Sequence, residues 1–456
     1  MATLIDADAE LRTARRRAAR SGTPGGRAVR VASWSNVLPA QTTLIEADER
    51  LADQVAGWDG PFIGRGSGRS LGDAAYLGNG ITVSSLGLRR IAAFDRQRGT
   101  LTCGAGVQMA EVFQLLEGSG WSMPVGGGTR WVTLGGAVAS DIHGKNDRRV
   151  GSFGNHVESL ELVLADGSRV SSSRAQHPEL FAATIGGMGL TGFIMQVTLR
   201  LSPASSTAVR IGTEPFHTIE DMVQRFEEDR SDFQVGWMDL TGRALRGIYY
   251  RASAVAAEAQ EIRRPIEWDF PTVKLFNRPL VRGLNAARFW RQRRVDEVTH
   301  VANFHFQVDA LKHWNRFYGP RGFQEYQFAA PAPVFTRMLA SFFAGIRRHR
   351  LSPFFAVAKR FGPQARAGLL SFPQPGYTFM ADFESRPDNR AFFTPFTELV
   401  LEAGGRIYLA KDSYLTADQF ERMYPYLNEW RQIVRRYDSK GRIQSDLSLR
   451  LRMKPW

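Results

Sequence analysis

The sequence predicts an α+β fold with a glycine-rich first part and an aromatic-rich second part. Residues 31–203 mix short apolar runs, glycine loops and a short helix without a repeating strand–helix–strand order, which favours α+β layers. Residues 204–402 contain fewer glycines and more aromatic residues. The chain has 456 residues, 43% of them hydrophobic, so it can build two or three domains with their own cores.

The first 30 residues are predicted to form a basic tail, either helical or disordered. They carry Arg12, Arg15, Arg16, Arg17 and Arg20 among small residues. They lack the apolar core of a signal peptide, and no run of about 18 apolar residues follows anywhere in the chain. The expected location is therefore the cytoplasm or the inner face of a membrane.

The elements of residues 31–203 follow from local patterns. Residues 81–84 and 160–164 read as strands, and residues 110–117 read as a helix with apolar spacing. Residues 165–168 contain Asp-Gly between two β-type runs, which predicts a hairpin turn.

The elements of the second part are predicted from aromatic residues and from glycine boundaries. Aromatic side chains between residues 354 and 383 indicate a sheet with one buried face. Residues 403–456 should return to the first domain as a strand and a helix over 419–436.

Charge and cysteine content limit the classes of function. A net charge of +14 favours nucleic acid, anionic lipid or a phosphorylated substrate. A nucleic-acid-binding protein is the weakest of these alternatives, because no helix-turn-helix, zinc finger or stacking motif is present. Cys103 is the only cysteine, which excludes an intramolecular disulfide and a cysteine-rich metal centre, and no metal is expected.

Three glycine clusters indicate a long cofactor. They occupy residues 64–73, 124–136 and 185–192. The first could present backbone N–H groups to phosphate, but it matches neither a Rossmann turn, because Arg69 replaces the third glycine, nor a Walker loop. Between the second and third clusters, His143 and Lys145 are candidates for orienting a flavin and stabilising negative charge on it.

These residues resemble a known family. The motifs at 65–73, 128–136, 141–146 and 151–156 are similar to the PCMH-type FAD-binding domain of the vanillyl-alcohol-oxidase superfamily. Within it, the chain most resembles the decaprenylphosphoryl-β-D-ribose oxidases, which are flavin subunits of 2'-epimerases. The resemblance continues through segments 314–320, 326–328, 359–363, 370–373 and 404–413, and so covers nearly all of the chain after the tail.

The resemblance implies a fold and a reaction. An FAD-binding domain at 31–203, completed by 403–456, would pack against an antiparallel-sheet substrate domain at 204–402. Members of the family oxidise the 2'-hydroxyl of a polyprenyl-phosphate ribose. A separate NAD-dependent short-chain reductase then reduces the ketone to the arabinose epimer. An oxygen-using sugar or alditol oxidase of the same superfamily is the alternative.

The resemblance also assigns roles to residues. Lys411, His143 and Lys145 would form the catalytic centre. Substrate would contact Trp237, Asp309, Gln327, Lys359 and Met380. FAD would contact Gly64, Arg65, Gly66, Ser67, Gly68, Arg69, Ser70, Leu71, Gly72, Asp73, Ala74, Gly128, Thr129, Thr133, Leu134, Gly135, Gly136, Ser140, Asp141, Ile142, His143, Ile194, Tyr408 and Lys411.

Departures from the family pattern qualify these roles. Arg69 stands where some superfamily members carry a flavin-linking histidine, so non-covalent FAD is expected. The family has tyrosine, cysteine, tyrosine and glutamine where this chain has Leu71, Met380, His305 and Glu325.

The expected chemistry needs a hydride acceptor, nearby cations and a base. The hydride would pass to flavin N5, while Lys411 and Lys145 would stabilise developing negative charge. Either Lys411 or His143 could be the base, and the sequence leaves this choice open.

A basic and aromatic segment at 263–294 is a candidate for membrane contact. It interleaves nine Arg or Lys residues with Trp, Phe and Leu, a composition typical of segments that bind an anionic membrane surface. A solvated loop over the pocket is the alternative interpretation.

Overall fold

The computed structural model describes residues 26–242, 244–258, 260–268, 270–364 and 366–456. Most of the predicted basic tail therefore lies outside the described residues. Its last part differs from the prediction, because strand β1 already begins at Arg27. Residues 27–31 pair antiparallel with residues 40–44 of β2, so backbone pairing extends the first domain beyond the predicted boundary at residue 31.

A small mixed sheet leads into the first glycine cluster. Its strand order is β1-β2-β4-β3, with β4 parallel to both β2 and β3. Helix α1 connects β2 to β3, and the first glycine loop starts where β3 ends. The bounds are β1 Arg27–Val31, β2 Ala40–Glu46, α1 Leu51–Ala56, β3 Phe62–Arg65 and β4 Ile81–Ser84.

A five-stranded antiparallel sheet completes the first part, in the order β5-β6-β10-β8-β9. The hairpin predicted at 165–168 is confirmed, since it joins β8 to β9. The strands are β5 Ile91–Asp95, β6 Thr100–Gly104, β7 Trp121–Ser122, β8 Val157–Val163, β9 Arg169–Ser173, β10 Phe193–Arg200 and β11 Ser202–Pro203, of which β7 and β11 form a separate pair. The helices are α2 Met109–Leu115, α3 Leu134–Ala139, α4 Asp147–Val150 and α5 Pro178–Thr184.

An eight-stranded antiparallel sheet dominates the second part, in the order β15-β12-β14-β13-β17-β18-β16-β19. Its strands are β12 Ala208–Phe216, β13 Phe233–Asp239, β14 Arg246–Ala254, β15 Asp296–His300, β16 Phe323–Ala330, β17 Ala356–Phe361, β18 Gly376–Glu384 and β19 Arg406–Ile407. The helices are α6 Ile219–Glu228, α7 Arg278–Gln292, α8 Val301–His305, α9 Ala332–Arg348 and α10 Asn389–Glu402. The predicted α+β class is confirmed.

Alternation along the strands gives this sheet two different faces. On β18, Phe379 and Phe383 pack against Phe342 of α9, with ring centroids 5.0 and 6.2 Å apart. The intervening Met380 and Asp382 line a cavity on the opposite face. Because successive side chains of a strand point to opposite faces, one sheet supplies both a helix-covered core and the floor of a cavity.

The C-terminal residues contact the first part, although β19 joins the eight-stranded sheet of the second part. Ile443 bridges to Phe62, and the Trp430 indole N–H donates to the Ala183 carbonyl at 3.0 Å. The single helix expected over 419–436 is wrong, because the segment forms two helices separated around Pro425, which cannot continue an α-helix. The helices are α11 Ala417–Met423, α12 Leu427–Tyr437 and α13 Asp446–Arg450.

In the part of the chain that the structure describes, no helix combines the length and apolarity needed to cross a bilayer.

Candidate active site

A cavity of about 520 Å³ lies between the glycine loops and the open face of the eight-stranded sheet. The first and second glycine clusters line one side, together with residues 140–145. Strands β13, β14, β16, β17 and β18 line the other side. The cavity therefore brings together segments that are more than 300 residues apart in the chain.

The first glycine loop presents free backbone donors to this cavity. The amides of Ser67, Gly68, Arg69 and Ser70 donate to no described residue. Gly68 has φ of +65°, a left-handed conformation that suits glycine and turns consecutive N–H groups the same way. Such a concave row of amides binds phosphate oxygens.

The second glycine cluster packs directly on the first. A Cβ at Gly66 would collide with the side chain of Thr133, so the two loops approach as closely as they do because residue 66 is glycine. The Thr133 hydroxyl caps helix α3 by accepting from the Gly136 amide at 3.2 Å.

Asp309 anchors the second cluster from the opposite part of the molecule. Its carboxylate accepts from the Thr129 hydroxyl at 2.9 Å and from the Arg130 amide at 2.6 Å. Burial raises the pKa of Asp309, while these hydrogen bonds oppose that rise. Asp309 lines the cavity, yet both of its oxygens are already engaged in holding the loop.

His143 is held as a neutral ring in the middle of the cavity wall. Gln327 Nε2 donates to His143 Nε2 at 2.9 Å, and the ring packs edge-on against Tyr408 at a centroid distance of 5.1 Å. Burial lowers the pKa of His143 well below its usual value, and Lys359 and Lys411 lower it further. The ring is therefore uncharged at neutral pH.

Three lysines face the cavity in different states. Lys411 forms an ion pair with the buried Glu325 carboxylate and lies 3.3 Å from Met380 Sδ. Lys145 donates to the Phe304 carbonyl and, at 3.2 Å, to the His305 carbonyl. The side-chain amine of Lys359 forms no hydrogen bond or ion pair with any described residue. Burial is the main cause that lowers its pKa to about 7.

Two carboxyl groups next to this centre also have displaced pKa values. Burial raises the pKa of Asp382 to about 7, although the hydroxyl of Tyr318 donates to it. Burial likewise raises the pKa of Asp147 to about 7, and its Oδ1 accepts from the Gly362 amide at 3.3 Å. A group of perturbed titratable residues lining one cavity is characteristic of an active site.

Comparisons with known proteins agree with this geometry. The FAD binding domain family matches residues 51–173, and the D-arabinono-1,4-lactone oxidase family matches residues 279–451. Decaprenylphosphoryl-beta-D-ribose oxidase of Mycolicibacterium smegmatis is 33% identical over 93% of this chain and 97% of its own length. This chain belongs to the decaprenylphosphoryl-beta-D-ribose oxidase family.

Two further relatives match shorter stretches of the chain. D-lactate dehydrogenase of Archaeoglobus fulgidus is 29% identical over 35% of this chain and 37% of its own length. The human Delta(24)-sterol reductase is 30% identical over 27% of this chain and 24% of its own length. The protein is thus an FAD-dependent oxidoreductase, as predicted.

The residues present fit FAD. The free amides of residues 67–70 suit its pyrophosphate, since anions bind where several backbone N–H groups converge. His143 Nδ1 and Arg69 Nε are buried atoms without hydrogen-bond partners among the described residues, and both residues line the cavity. Both atoms are placed to meet polar atoms of a bound ligand.

The structure gathers most of the predicted site residues around this cavity. Those that line it are Ser67, Gly68, Arg69, Ser70, Leu71, Gly128, Thr129, Thr133, Gly136, Ser140, Ile142, His143, Lys145, Trp237, Asp309, Lys359, Met380, Tyr408 and Lys411. Gln327 stands behind His143.

The other predicted FAD contacts lie outside the cavity wall and support it. Asp73 pairs with Arg450 through two contacts of 2.8 and 2.9 Å, and Arg450 also contacts Asp412 at 2.9 Å. Asp141 accepts from the Ser152 hydroxyl and the Gly154 amide, which fixes the turn before His143. The remaining residues of this set are Gly64, Arg65, Gly66, Gly72, Ala74, Leu134, Gly135 and Ile194.

Sequence reasoning missed the apolar and cationic lining near helix α7. Arg288 stacks 4.9 Å from the Trp237 ring, and Phe276 stacks 4.1 Å from Phe354. These residues belong to no motif, and only the aromatic and basic composition of 263–294 hinted at them. Others in this set are Trp34, Val235, Tyr250, Leu284, Leu311 and Phe355.

Proposed function

We propose that this protein oxidises the 2'-hydroxyl of a ribose carried on a polyprenyl phosphate to the 2'-ketone. The observation that supports this best is the cavity itself, which joins a polar floor of lysines and carboxylates to an aromatic region bordered by α7. A pentose needs the polar floor, whereas a prenyl chain needs apolar walls. The Mycolicibacterium smegmatis relative is a decaprenylphosphoryl-beta-D-ribose oxidase, and its name gives the same class of substrate.

FAD would supply the hydride acceptor, and the glycine loops of the protein would hold it. FAD, when bound, accepts a hydride from the carbon that carries the hydroxyl group. The row of amides at 67–70 and the loop at 128–136 would hold it, and Arg69 leaves no histidine in the first loop for a covalent link. Non-covalent binding is therefore part of the proposal.

Cations of the chain would bind the substrate and stabilise charge that develops on its oxygen. Lys411 is held in place by Glu325, so it presents a fixed positive charge beside the cavity. His143 presents a neutral ring. Arg288, which lines the cavity from α7, is suited to the phosphate of the substrate because guanidinium groups bind phosphate bidentately.

The product implies a second enzyme. A 2'-keto pentose on the same lipid would be reduced from the opposite face by an NAD-dependent short-chain reductase, which would complete an epimerisation to arabinose. The present chain carries out the oxidative half of that exchange.

Anaerobic reduction of the bound flavin tests the substrate. Polyprenyl-phosphoryl ribose should bleach the flavin absorption, whereas the arabinose epimer and free ribose 5-phosphate should not bleach it at equal concentration. Bleaching by a free sugar or sugar lactone, followed by hydrogen peroxide release in air, would instead support the oxygen-using oxidase that the lactone oxidase match suggests. No bleaching by any lipid-linked pentose would refute the proposal.

A membrane contact through 263–294 is the second part of the proposal. Seven of the twelve exposed large hydrophobic side chains among the described residues lie between 266 and 290. Trp268 is 62% exposed and lies between Glu267 and Asp269 in the sequence, whereas Trp290 is 59% exposed, precedes Arg291 and stacks with Arg293. Leu284 is exposed and also lines the cavity, so this surface adjoins the route to the active site.

Sedimentation with vesicles tests this contact. The double variant Trp268→Ser/Trp290→Ser should bind vesicles rich in anionic phospholipid more weakly than the wild type, because apolar burial and charge act together at such surfaces. Leu399→Ser/Tyr426→Ser removes two exposed hydrophobic side chains elsewhere and serves as the matched control. Equal binding by both variants would argue against this surface.

A further inference from the structure

Three lysines and a histidine face the cavity, and each has a side chain that could in principle accept a proton. The hydrogen bonds around them differ enough to separate their roles. An effective base needs a free lone pair within the cavity and a pKa near the working pH.

Lys411 and Lys145 are already committed as donors. Lys411 is paired with the buried Glu325 carboxylate. Lys145 Nζ donates to two backbone carbonyls and lies 4.4 Å from the Phe304 ring. Burial also lowers the pKa of Lys145 well below its usual value, but hydrogen bonds hold its amine at the two carbonyls.

His143 is excluded by its hydrogen-bond chain. The Thr378 hydroxyl donates to the Phe328 carbonyl at 2.9 Å, so it must accept from Gln327 at 3.0 Å. That end of Gln327 is therefore its amide nitrogen, and the same nitrogen donates to His143 Nε2. In the neutral ring, Nδ1 then carries the hydrogen, so His143 faces a ligand as a donor.

Lys359 has the property that the others lack. It lies on β17 and lines the cavity, and its Nζ has no hydrogen bond or ion pair with any described residue. Its pKa is lowered to about 7, chiefly by burial and also by Lys411, while Asp147 and Glu325 act in the opposite direction. A substantial fraction of Lys359 is therefore a free amine near neutral pH.

We infer that Lys359 is the base that removes the proton from the substrate hydroxyl. The inference rests on the proposed function, and it replaces both candidates that the sequence left open. The O–H bond breaks and its proton binds the neutral Lys359 amine, which becomes an ammonium. The C–H bond breaks and its hydrogen leaves with the electron pair to the cofactor, while the C=O bond forms.

Several charged or titratable groups face Lys359 from the surrounding elements, and they set its proton affinity. Their charges predict how substitutions shift its titration, because a lost carboxylate removes a force that favours the ammonium form. The groups are Asp147 on α4, Glu325 on β16, Asp382 on β18, Arg288 on α7, His305 on α8, and Lys411, Lys145 and His143 on loops or short turns.

Competitive acetylation measures the protonation of Lys359 without any substrate. Only the neutral amine reacts with acetic anhydride, and the chain has just seven lysines, so peptide mass spectrometry resolves each of them. In the FAD-loaded protein, the labelling of Lys359 should reach its midpoint near pH 7, whereas that of a free lysine amide added as an internal standard should reach it at roughly pH 10.4. A Lys359 midpoint equal to that of the standard would overturn the inference.

Rapid kinetics with a flavin-reducing pentose lipid tests the role itself. Lys359→Ala should slow flavin reduction by on the order of 10²–10⁴. Added primary amines should restore part of the rate, more strongly as their basicity increases, which a purely structural role would not produce. Reduction of Lys359→Ala at the wild-type rate would overturn the assignment.

A charge variant that leaves the cavity lining intact gives a further check. Asp147→Asn should move the midpoint of the pH profile to lower pH, because Asp147 favours the Lys359 ammonium. Glu398→Gln, at a surface pair with Arg422, is the control and should leave it unchanged. If no lipid-linked pentose reduces the flavin, the substrate proposal fails, but acetylation still decides whether Lys359 is poised as a base.

Discussion

Gly128 gives a test of the cofactor position at the scale of a single residue. A Cβ at Gly128 would meet no heavy atom within 4 Å, and the residue lines the cavity. Gly128→Ala should therefore leave the stability of the apoprotein nearly unchanged but lower its retention of FAD, because the new methyl group occupies the ligand's space. Flavin absorbance after gel filtration and the melting temperature of the apoprotein measure the two effects.

Gly283→Ala is the matched control for this substitution. Its Cβ also meets nothing within 4 Å, but it lies on α7 outside the cavity lining. This variant should retain FAD like the wild type. Full flavin content in Gly128→Ala would mean that the cofactor does not approach this loop.

The predictability of the site differs between residues. The first two glycine loops and residues 140–145 are contiguous motifs whose position by the cavity could be predicted from the sequence, whereas no residue of the third cluster, 185–192, lines it. The proposed role of Lys359 could not be predicted from the sequence. It depends on an amine without a hydrogen-bond partner and on the charges of Asp147, Glu325 and Lys411. Those neighbours come from other elements, and no spacing in the chain encodes their distance.

At the scale of elements, Arg450 connects helix α13 to the first glycine loop. It pairs with the buried Asp73 and Asp412 and donates to the Leu415 carbonyl at 2.8 Å. Arg450→Met should destabilise the protein by roughly 3–5 kcal/mol, because two buried carboxylates lose their cation. Urea denaturation measures the loss.

A surface arginine supplies the comparison for Arg450. Arg422 contacts Glu398 and Asp418 at 3.2 and 3.1 Å, but its side chain is 49% exposed. Arg422→Met should leave the free energy of unfolding nearly unchanged, because a solvent-exposed ion pair contributes little to stability. Equal losses in the two variants would show that the Asp73–Arg450–Asp412 cluster has no special structural role.

Elements were predictable where one local pattern determined them. The 165–168 hairpin follows from its turn residues, and its flanking strands pair as expected. The single helix expected over 419–436 is wrong because it includes Pro425, which an α-helix does not tolerate in its interior. Helix α11 ends before Pro425 and α12 begins after it. The order of the eight-stranded sheet could not be predicted, since β17 pairs with β13 and β18 although more than 100 residues separate it from β13.

At the scale of the whole molecule, the two parts meet around a cavity whose desolvated charged groups lower the stability of the fold. The sheet that buries aromatic rings on its helix side also carries charged groups on its cavity side. Desolvating those groups makes an unfavourable contribution to the free energy of folding. Functional sites commonly keep such destabilising groups because activity requires them. The stability of the apoprotein should therefore depend on pH in a way that single substitutions reveal.

Lys359 permits a clear test of this cost. Its pKa is about 7 in the folded protein and roughly 10.4 in an unfolded chain. Below pH 7 both states are charged and the folded state bears the full penalty; between pH 7 and roughly 10.4 folding releases the proton and the penalty falls. Lys359→Met should thus stabilise the apoprotein by roughly 1–3 kcal/mol at pH 6 and by less at pH 9.5.

Lys454 shows why the direction of this effect is informative. Lys454 is also buried, and burial lowers its pKa to about 8, but its amine binds Asp438 at 2.7 Å. Lys454→Met should destabilise the protein, since it leaves a buried carboxylate without its cation. Thermal melts of both variants at the two pH values separate an amine retained for chemistry from one retained for structure. If Lys359→Met destabilises the apoprotein at pH 6, Lys359 is retained for structure, as Lys454 is.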